Sequence, residues 1–139
     1  MVALKVSKRN RKLLKVRLID ISRAHFYGQA QREVFVTLPE GDQEEGKVGL
    51  LLKSMYGTRD AANVWQQSYA DVLNRAGFKR SAAWPAIFFH EKLEARLLVH
   101  GDDFVILGDD AAQQHVEKAL REAYDLRVDG SIGDRCWRN

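Results

Sequence analysis

The stretch VHGDDFVILGDD (residues 99–110) carries the tripeptide Gly-Asp-Asp twice, at 101–103 and again at 108–110. Adjacent carboxylates repel, so each pair needs a physical reason. The second pair stands where a helix is expected to begin. A carboxylate there accepts bonds from free backbone N–H groups and meets the positive end of the helix dipole. Gln113 follows Asp110 by three residues, the spacing of a capping box. Asp109 and Asp110 therefore read as helix-capping residues. The first pair lies between RLLV and FVIL, two apolar stretches that a tight hairpin would join, with Gly101 supplying the turn. In one reading Asp102 and Asp103 are ordinary turn formers. In the other they form a site, because a doubled carboxylate at the end of a buried hairpin is costly unless a cation neutralises it.

Asp20 bears on that choice, since it also closes an apolar stretch, VRLID. If its strand neighbours the hairpin, three carboxylates converge at one sheet edge. Donor sets made of oxygen favour Mg2+ or Mn2+. Two such ions about 3.5–4 Å apart can activate a 3′-hydroxyl and stabilise a leaving pyrophosphate. Asp20, Asp102 and Asp103 are thus the candidate catalytic and metal-ligating residues.

The elements that must position them follow from periodicity. LLKVRLI (13–19) is a strand candidate ending on Asp20, and EVFVTL (33–38) alternates as a second strand, stopped by Pro39 and Gly41. GDQEEGK (41–47) is a polar loop, and VGLLLKSMYG (48–57) a short apolar segment closing on Gly57. Thr58 can cap a helix running to about Ala76, with Ala61, Trp65, Tyr69, Val72 and Ala76 on one face and Gly77 as its stop. AIFFH (86–90) and ARLLVH (95–100) read as strands paired through EKLE. FVIL (104–107) is apolar throughout, so a strand covered on both faces is expected. A second helix spans about 111–124, and YDLRV (124–128) adds a last strand. Helices mixed with hairpins imply an α+β fold, an antiparallel sheet with two helices packed on one face.

The whole chain is consistent with this. Its 139 residues, 45% hydrophobic and 29% charged, suit one globular domain with a sizeable core. No apolar run approaches the roughly 20 residues of a membrane span, and the N-terminus lacks the apolar segment of a secretory signal. Cys136 is alone, which excludes an internal disulfide and favours a reducing compartment. A cytoplasmic or nuclear protein is expected, not a secreted one. Lys5, Lys8, Arg9, Arg11, Lys12, Lys15 and Arg17 crowd the first seventeen residues with no acid among them. Such a block attracts polyanions, nucleic acid above all, or is simply a solvated tail. The expected division is a basic, flexible segment over 1–12, a folded domain over 13–128 and a tail over 129–139.

Three blocks in order resemble the reverse transcriptase of copia-type retrotransposons. DISRAHFYGQAQREVFVTLPEG (20–41) is similar to the family's D-V-x-x-A-F-L-x-G-x-L-x-E-x-I-Y-M-x-x-P-x-G at Asp20, Ala24, Gly28, Glu33, Pro39 and Gly41. LLKSMYGTRDAANVW (51–65) stands beside L-K-K-S-L-Y-G-L-K-Q-A-P-R-x-W. GFKRSAAWPAIFFH with RLLVHGDDFVILGDD stands beside G-F-x-x-S-x-x-D-P-x-L-F and L-L-x-Y-V-D-D-I-L-I-x-G. The resemblance covers residues 18–128.

It implies an RRM/ferredoxin-like polymerase palm, truncated, with Asp20, Asp102 and Asp103 as the catalytic triad and two Mg2+ (or Mn2+) ions as cofactors. It also implies an RNA template, a DNA primer and deoxynucleotides as partners. By the same matching, Ile21 to His25 and Tyr56–Gly57 flank the incoming nucleotide. Lys53 falls in a matched block but reads equally as a surface residue.

The departures are specific. The family's Tyr-Val-Asp-Asp is His100-Gly101-Asp102-Asp103 here, a Gly-Asp-Asp like that of viral RNA-dependent RNA polymerases. His25 stands at the family's aromatic gate against a ribose 2′-hydroxyl, from which looser sugar discrimination is expected; alternatively Phe26 fills that place. About nineteen residues precede Asp20 and the chain stops at Asn139, so fingers, primer grip, thumb and RNase H region are not expected within these residues. A retroelement remnant or a piece of a polyprotein is expected, its catalytic residues intact but with little to hold template and primer.

Two other readings stay open. One is an RRM-like module that binds single strands without catalysis, with Phe88, Phe89 and Phe104 available for stacking. The other is an inert palm remnant. His90 and His115 have no second ligand at metal spacing, and Trp65 and Trp84 read as core or rim packing.

Overall fold

The computed structural model describes residues 13–132, which divide into two compact units: one made of the chain up to Ser22 and from Ala70 onward, the other of Arg23–Tyr69. No helix among the described residues is long and apolar enough to cross a membrane. The basic 1–12 segment lies outside the described residues.

The larger unit is an antiparallel sheet. Its strands are β1 (Lys15–Ile21), β4 (Lys79–Arg80), β5 (Ile87–His90), β6 (Ala95–His100), β7 (Asp103–Gly108) and β8 (Leu126–Ile132), in the order β4-β5-β6-β7-β1-β8. Strands β2 (Phe35–Val36) and β3 (Gly49–Leu50) belong to the smaller unit. Helix α1 (Ala61–Arg75) contributes its last residues, from Ala70, and α2 (Asp110–Ala123) lies wholly in this unit. The α+β class expected from the sequence is the one observed.

Alternation decides which face is covered. In β6, Ala95, Leu97 and Val99 are buried while Arg96, Leu98 and His100 are exposed. Pairing carries the same face across the sheet: Leu97 opposes Phe88 and Ile106, and Phe104 opposes Val99 and Ile19. Val116 and Leu120 of α2 and Leu73 of α1 are fully buried with these residues. Val105 and Leu107 are only half-buried, and Leu18, Leu98 and Phe89 on their face are exposed. The expectation that FVIL is covered on both faces is therefore corrected. An apolar run in a central strand meant one buried face and one apolar face left open.

Two positions explain how α2 meets the sheet. A Cβ on Gly108 would sit 2.8 Å from Ala112 Cβ and 3.5 Å from Ala95 Cβ, so only glycine permits this approach. Asp109 then caps the helix, its Oδ1 accepting from Ala112 N at 2.9 Å. Asp110 instead pairs with Lys15 on β1 at 2.9 Å. No capping box forms. Gln113 is fully buried, and its Nε2 donates to Lys15 O at 2.9 Å and Gly108 O at 3.5 Å, tying the helix to β1 and β7.

β8 runs to Ile132, into the segment read from sequence as a tail. It pairs with β1 through a bulge: Leu18 opposes Gly130 but Ile19 opposes Val128, leaving Asp129 as the extra residue. The short β4 was not anticipated. Its Lys79 and Arg80 are both exposed, as suits a charged edge strand.

The smaller unit holds a 3-10 turn (Ala24–Tyr27), the two-stranded ribbon β2 (Phe35–Val36) and β3 (Gly49–Leu50), and the start of α1. Phe35 pairs with Leu50 and Val36 with Gly49. Its core is Ala24, Ala61, Trp65 and Tyr69, with the Trp65 and Tyr69 rings edge to face at 5.4 Å. EVFVTL thus contributes two strand residues rather than six, because the ribbon has no wider sheet to extend it.

Candidate metal centre

Register brings the first Gly-Asp-Asp to Asp20. β1 and β7 are antiparallel, and their last pair is Asp20 opposite Asp103. Directly opposed side chains leave the same face of a sheet, so these two carboxylates are neighbours by geometry alone. Asp102 is added by the turn. His100 pairs with Asp103, leaving Gly101 and Asp102 as a two-residue hairpin loop. Gly101 has φ +64°, the left-handed conformation that glycine adopts without strain. The Ile21 N–H donates to Asp102 O at 3.0 Å, fastening the turn to the end of β1.

The result is a cluster in which Asp20, Asp102 and Asp103 each offer a carboxylate oxygen within 4.8 Å of the others. Asp20 and Asp102 are half-buried and Asp103 is exposed, so the cluster opens to solvent. Arg127, the β8 partner of Asp20, brings its Nη2 to 3.7 Å from Asp20 Oδ2. Its Nε donates to Asp129 Oδ1 at 2.6 Å. That bond, the Asp129 charge and then the Asp20 charge raise the Arg127 pKa above its ordinary value. Sequence reading placed Arg127 in a strand but gave it no role. Its approach to Asp20 depends on a cross-strand register that includes a bulge, which no local pattern reveals.

The other residues assigned by resemblance fall as follows. The Ile21 side chain is fully buried, so its backbone rather than its side chain serves the turn. Within the smaller unit, the His25 and Tyr56 rings meet edge to face at 4.2 Å, and His25 Nδ1 lies 3.3 Å from Ala61 O. Phe26 also meets Tyr56, at 6.1 Å, but is exposed, so His25 rather than Phe26 is the more enclosed of the two. Gly57 has φ +84° and follows Tyr56 into the turn before α1. Lys53 is exposed and forms an isolated bridge with Gln29.

Two histidines far apart in sequence are brought together. The His90 and His115 rings lie edge to face at 5.7 Å, and His115 Nε2 is 2.8 Å from Ala76 O. Leu93 N donates to His90 Nδ1 at 3.2 Å. Burial, and then the His115 charge, hold the His90 pKa below its ordinary value. Among the described residues no third ligand joins them, and the Asp20 cluster is the one group of three that could hold an ion.

A family model described as reverse transcriptase (RNA-dependent DNA polymerase) matches residues 2–134. The chain is 28% identical over 121 residues to the retrovirus-related Pol polyprotein from transposon TNT 1-94 of Nicotiana tabacum, covering 82% of this chain and 9% of that polyprotein. It is 24% identical over 112 residues to the truncated transposon Ty1-A Gag-Pol polyprotein of Saccharomyces cerevisiae, covering 79% of this chain and 9% of the relative. The same figures hold for the transposon Ty1-DR5 Gag-Pol polyprotein, of which it covers 6%. The chain thus spans less than a tenth of the length of these curated relatives. No solved structure matches it.

Proposed function

Since the chain belongs to the reverse transcriptase (RNA-dependent DNA polymerase) family, of the copia type, we propose that Asp20, Asp102 and Asp103 form the two-ion centre of an RNA-directed DNA polymerase. The observation that carries this is the convergence of three carboxylates from two distant segments on one open sheet edge. The donor set fits the cofactor: three hard carboxylate oxygens, half-buried to exposed, suit Mg2+ or Mn2+ and leave positions for substrate oxygens. In the reaction the primer 3′-hydroxyl gives its proton to water, its oxygen bonds to the α-phosphorus of a deoxynucleotide, the bond from that phosphorus to the oxygen of the β-phosphate breaks, and pyrophosphate leaves. Two divalent ions, when bound, activate the attacking oxygen and stabilise the leaving one.

The chain's own part is positioning. The β1–β7 ladder fixes Asp20 against Asp103, and the Ile21–Asp102 backbone bond fixes the turn. Phosphoryl transfer depends chiefly on such placement and on charge. Asp20 and Asp102 would hold the ions, with Asp103 assisting. By resemblance, Ile21, His25, Tyr56 and Gly57 belong to the nucleotide. RNA template, DNA primer, deoxynucleotides and the remaining polyprotein domains are the partners this reading requires. It places the protein in the cytoplasm or nucleus, with no membrane partner.

Primer extension on an RNA template, with Mg2+ and with Mn2+, tests the proposal. Extension that Asp102→Asn abolishes supports it; ion binding that survives both Asp20→Asn and Asp102→Asn sinks it. The single-strand-binding alternative finds less support. Of the three phenylalanines that could stack on bases, Phe88 and Phe104 are fully buried and only Phe89 is exposed.

A further inference from the structure

β8 sets a cation against the carboxylate cluster in a particular way. Arg127 is the register partner of Asp20, so the two side chains share a face. Its guanidinium is divided: Nε makes a 2.6 Å bond to Asp129, while Nη2 stands 3.7 Å from Asp20. The short bond goes to a carboxylate outside the cluster, and the longer contact goes to the cluster itself. Asp129 is also the residue that the bulge adds to β8, where it has no partner on β1.

Resting on the polymerase reading above, we propose that Arg127 is a positioning residue, the exchangeable counter-ion of the cluster. Without divalent ions it offsets part of the repulsion among three carboxylates whose oxygens lie within 4.8 Å of one another. When ions load, Arg127 leaves Asp20 and remains held by Asp129. The geometry suits exchange rather than a permanent bond. A pair at 3.7 Å whose arginine is exposed is weak, too weak to block a divalent ion, yet its charge is close enough to oppose one. Asp129 keeps the guanidinium from closing fully on Asp20. Arg127 thus sets how tightly the cluster holds ions, and Asp129 sets how far Arg127 can oppose them.

The test is Mn2+ binding to the intact chain at low ionic strength, followed by calorimetry and by the electron paramagnetic signal of free Mn2+. Arg127→Ala is expected to bind Mn2+ about three- to tenfold tighter, the order expected for removing one charge beside the site in a water-like dielectric. Arg127→Lys keeps the affinity within about twofold of the starting chain. Asp129→Asn frees Arg127 to sit on Asp20 and weakens binding by about twofold or more. The gap between Arg127→Ala and the starting chain narrows as salt rises. Unchanged or weaker binding in Arg127→Ala overturns the inference. If that variant fails to fold, unchanged or tighter binding in Asp129→Asn overturns it instead. A starting chain whose Mn2+ binding is lost in Asp102→Asn while Arg127→Ala binds as before defeats this inference alone. Absence of binding in both the starting chain and Arg127→Ala defeats the metal reading as well.

Discussion

Asp20 and Asp103 are the terminal pair of the β1–β7 ladder, directly opposed with their carboxylates on the same face. Sheets avoid like charges at such positions because the pair is repulsive. Neutralising one member should therefore stabilise the chain in the absence of divalent ions. Asp103→Asn is expected to raise ion-free stability by about 0.5–1 kcal/mol, a few degrees in melting temperature, and to weaken Mn2+ binding at least tenfold. Paired melts with and without Mn2+ check both signs. A variant less stable than the starting chain in chelator would show that the cluster carries no stored repulsion.

Phe104 follows Asp103 on β7, points to the covered face, and stands between Ile19 and Val99. It is fully buried. Phe104→Ala should cost about 3–5 kcal/mol, against at most about 0.5 kcal/mol for Leu98→Gln on the open face. Denaturant unfolding of the two variants measures the contrast. Similar costs would mean that the open face is covered in solution.

These two residues also show what a sequence can and cannot reveal. The strands, the hairpin and the helices come from local periodicity, and VRLID and the first Gly-Asp-Asp were legible because each ends an apolar run. FVIL misled because composition does not separate a strand buried twice from one that leaves an apolar face open. Gln113 misled for a similar reason. Its spacing fits a capping box, but tertiary packing claims its side chain for Lys15 and Gly108 carbonyls. Arg127, and the meeting of His90 with His115, depend on pairings between distant segments that no short-range pattern encodes. The carboxylate cluster was readable only as a condition, that β1 should lie beside the hairpin, and the β1–β7 register meets that condition.

His90 predicts a pH dependence. Its folded pKa lies below its ordinary value, chiefly through burial and then through His115. A backbone hydrogen bond works the other way and offsets part of this, and Lys92 adds a further opposing charge. The unfolded chain therefore binds the proton more readily than the folded one. Stability is complete above the unfolded value of 6.5 and falls as pH drops below it toward the folded pKa. His90→Asn, whose Oδ1 can still accept from Leu93 N, should flatten that part of the curve. Melting temperatures from pH 7.5 down to 5 in both chains check it, and an equal slope in both would assign the dependence to other groups.

The last prediction concerns the sugar. By resemblance His25 stands where the family places the aromatic that excludes a ribose 2′-hydroxyl. Here its ring packs edge to face on Tyr56 at 4.2 Å and its Nδ1 faces Ala61 O at 3.3 Å. That pair of contacts holds the imidazole in place within its unit, so its smaller size is not made good by mobility. Imidazole also carries ring nitrogens that can hydrogen-bond a hydroxyl, whereas a phenyl ring offers only bulk. If the chain extends primers, it should incorporate ribonucleotides more readily than His25→Phe does, by about tenfold in the ratio of kcat/KM values, a difference of about 1.4 kcal/mol. His25→Phe keeps an aromatic ring against Tyr56 while it adds bulk and gives up the Nδ1 contact with Ala61 O, so a melting curve of this variant accompanies the kinetics. Single-nucleotide incorporation with matched deoxy- and ribonucleoside triphosphates gives the ratio. Equal discrimination by the two chains would remove His25 from the sugar site and leave its ring as packing for Tyr56.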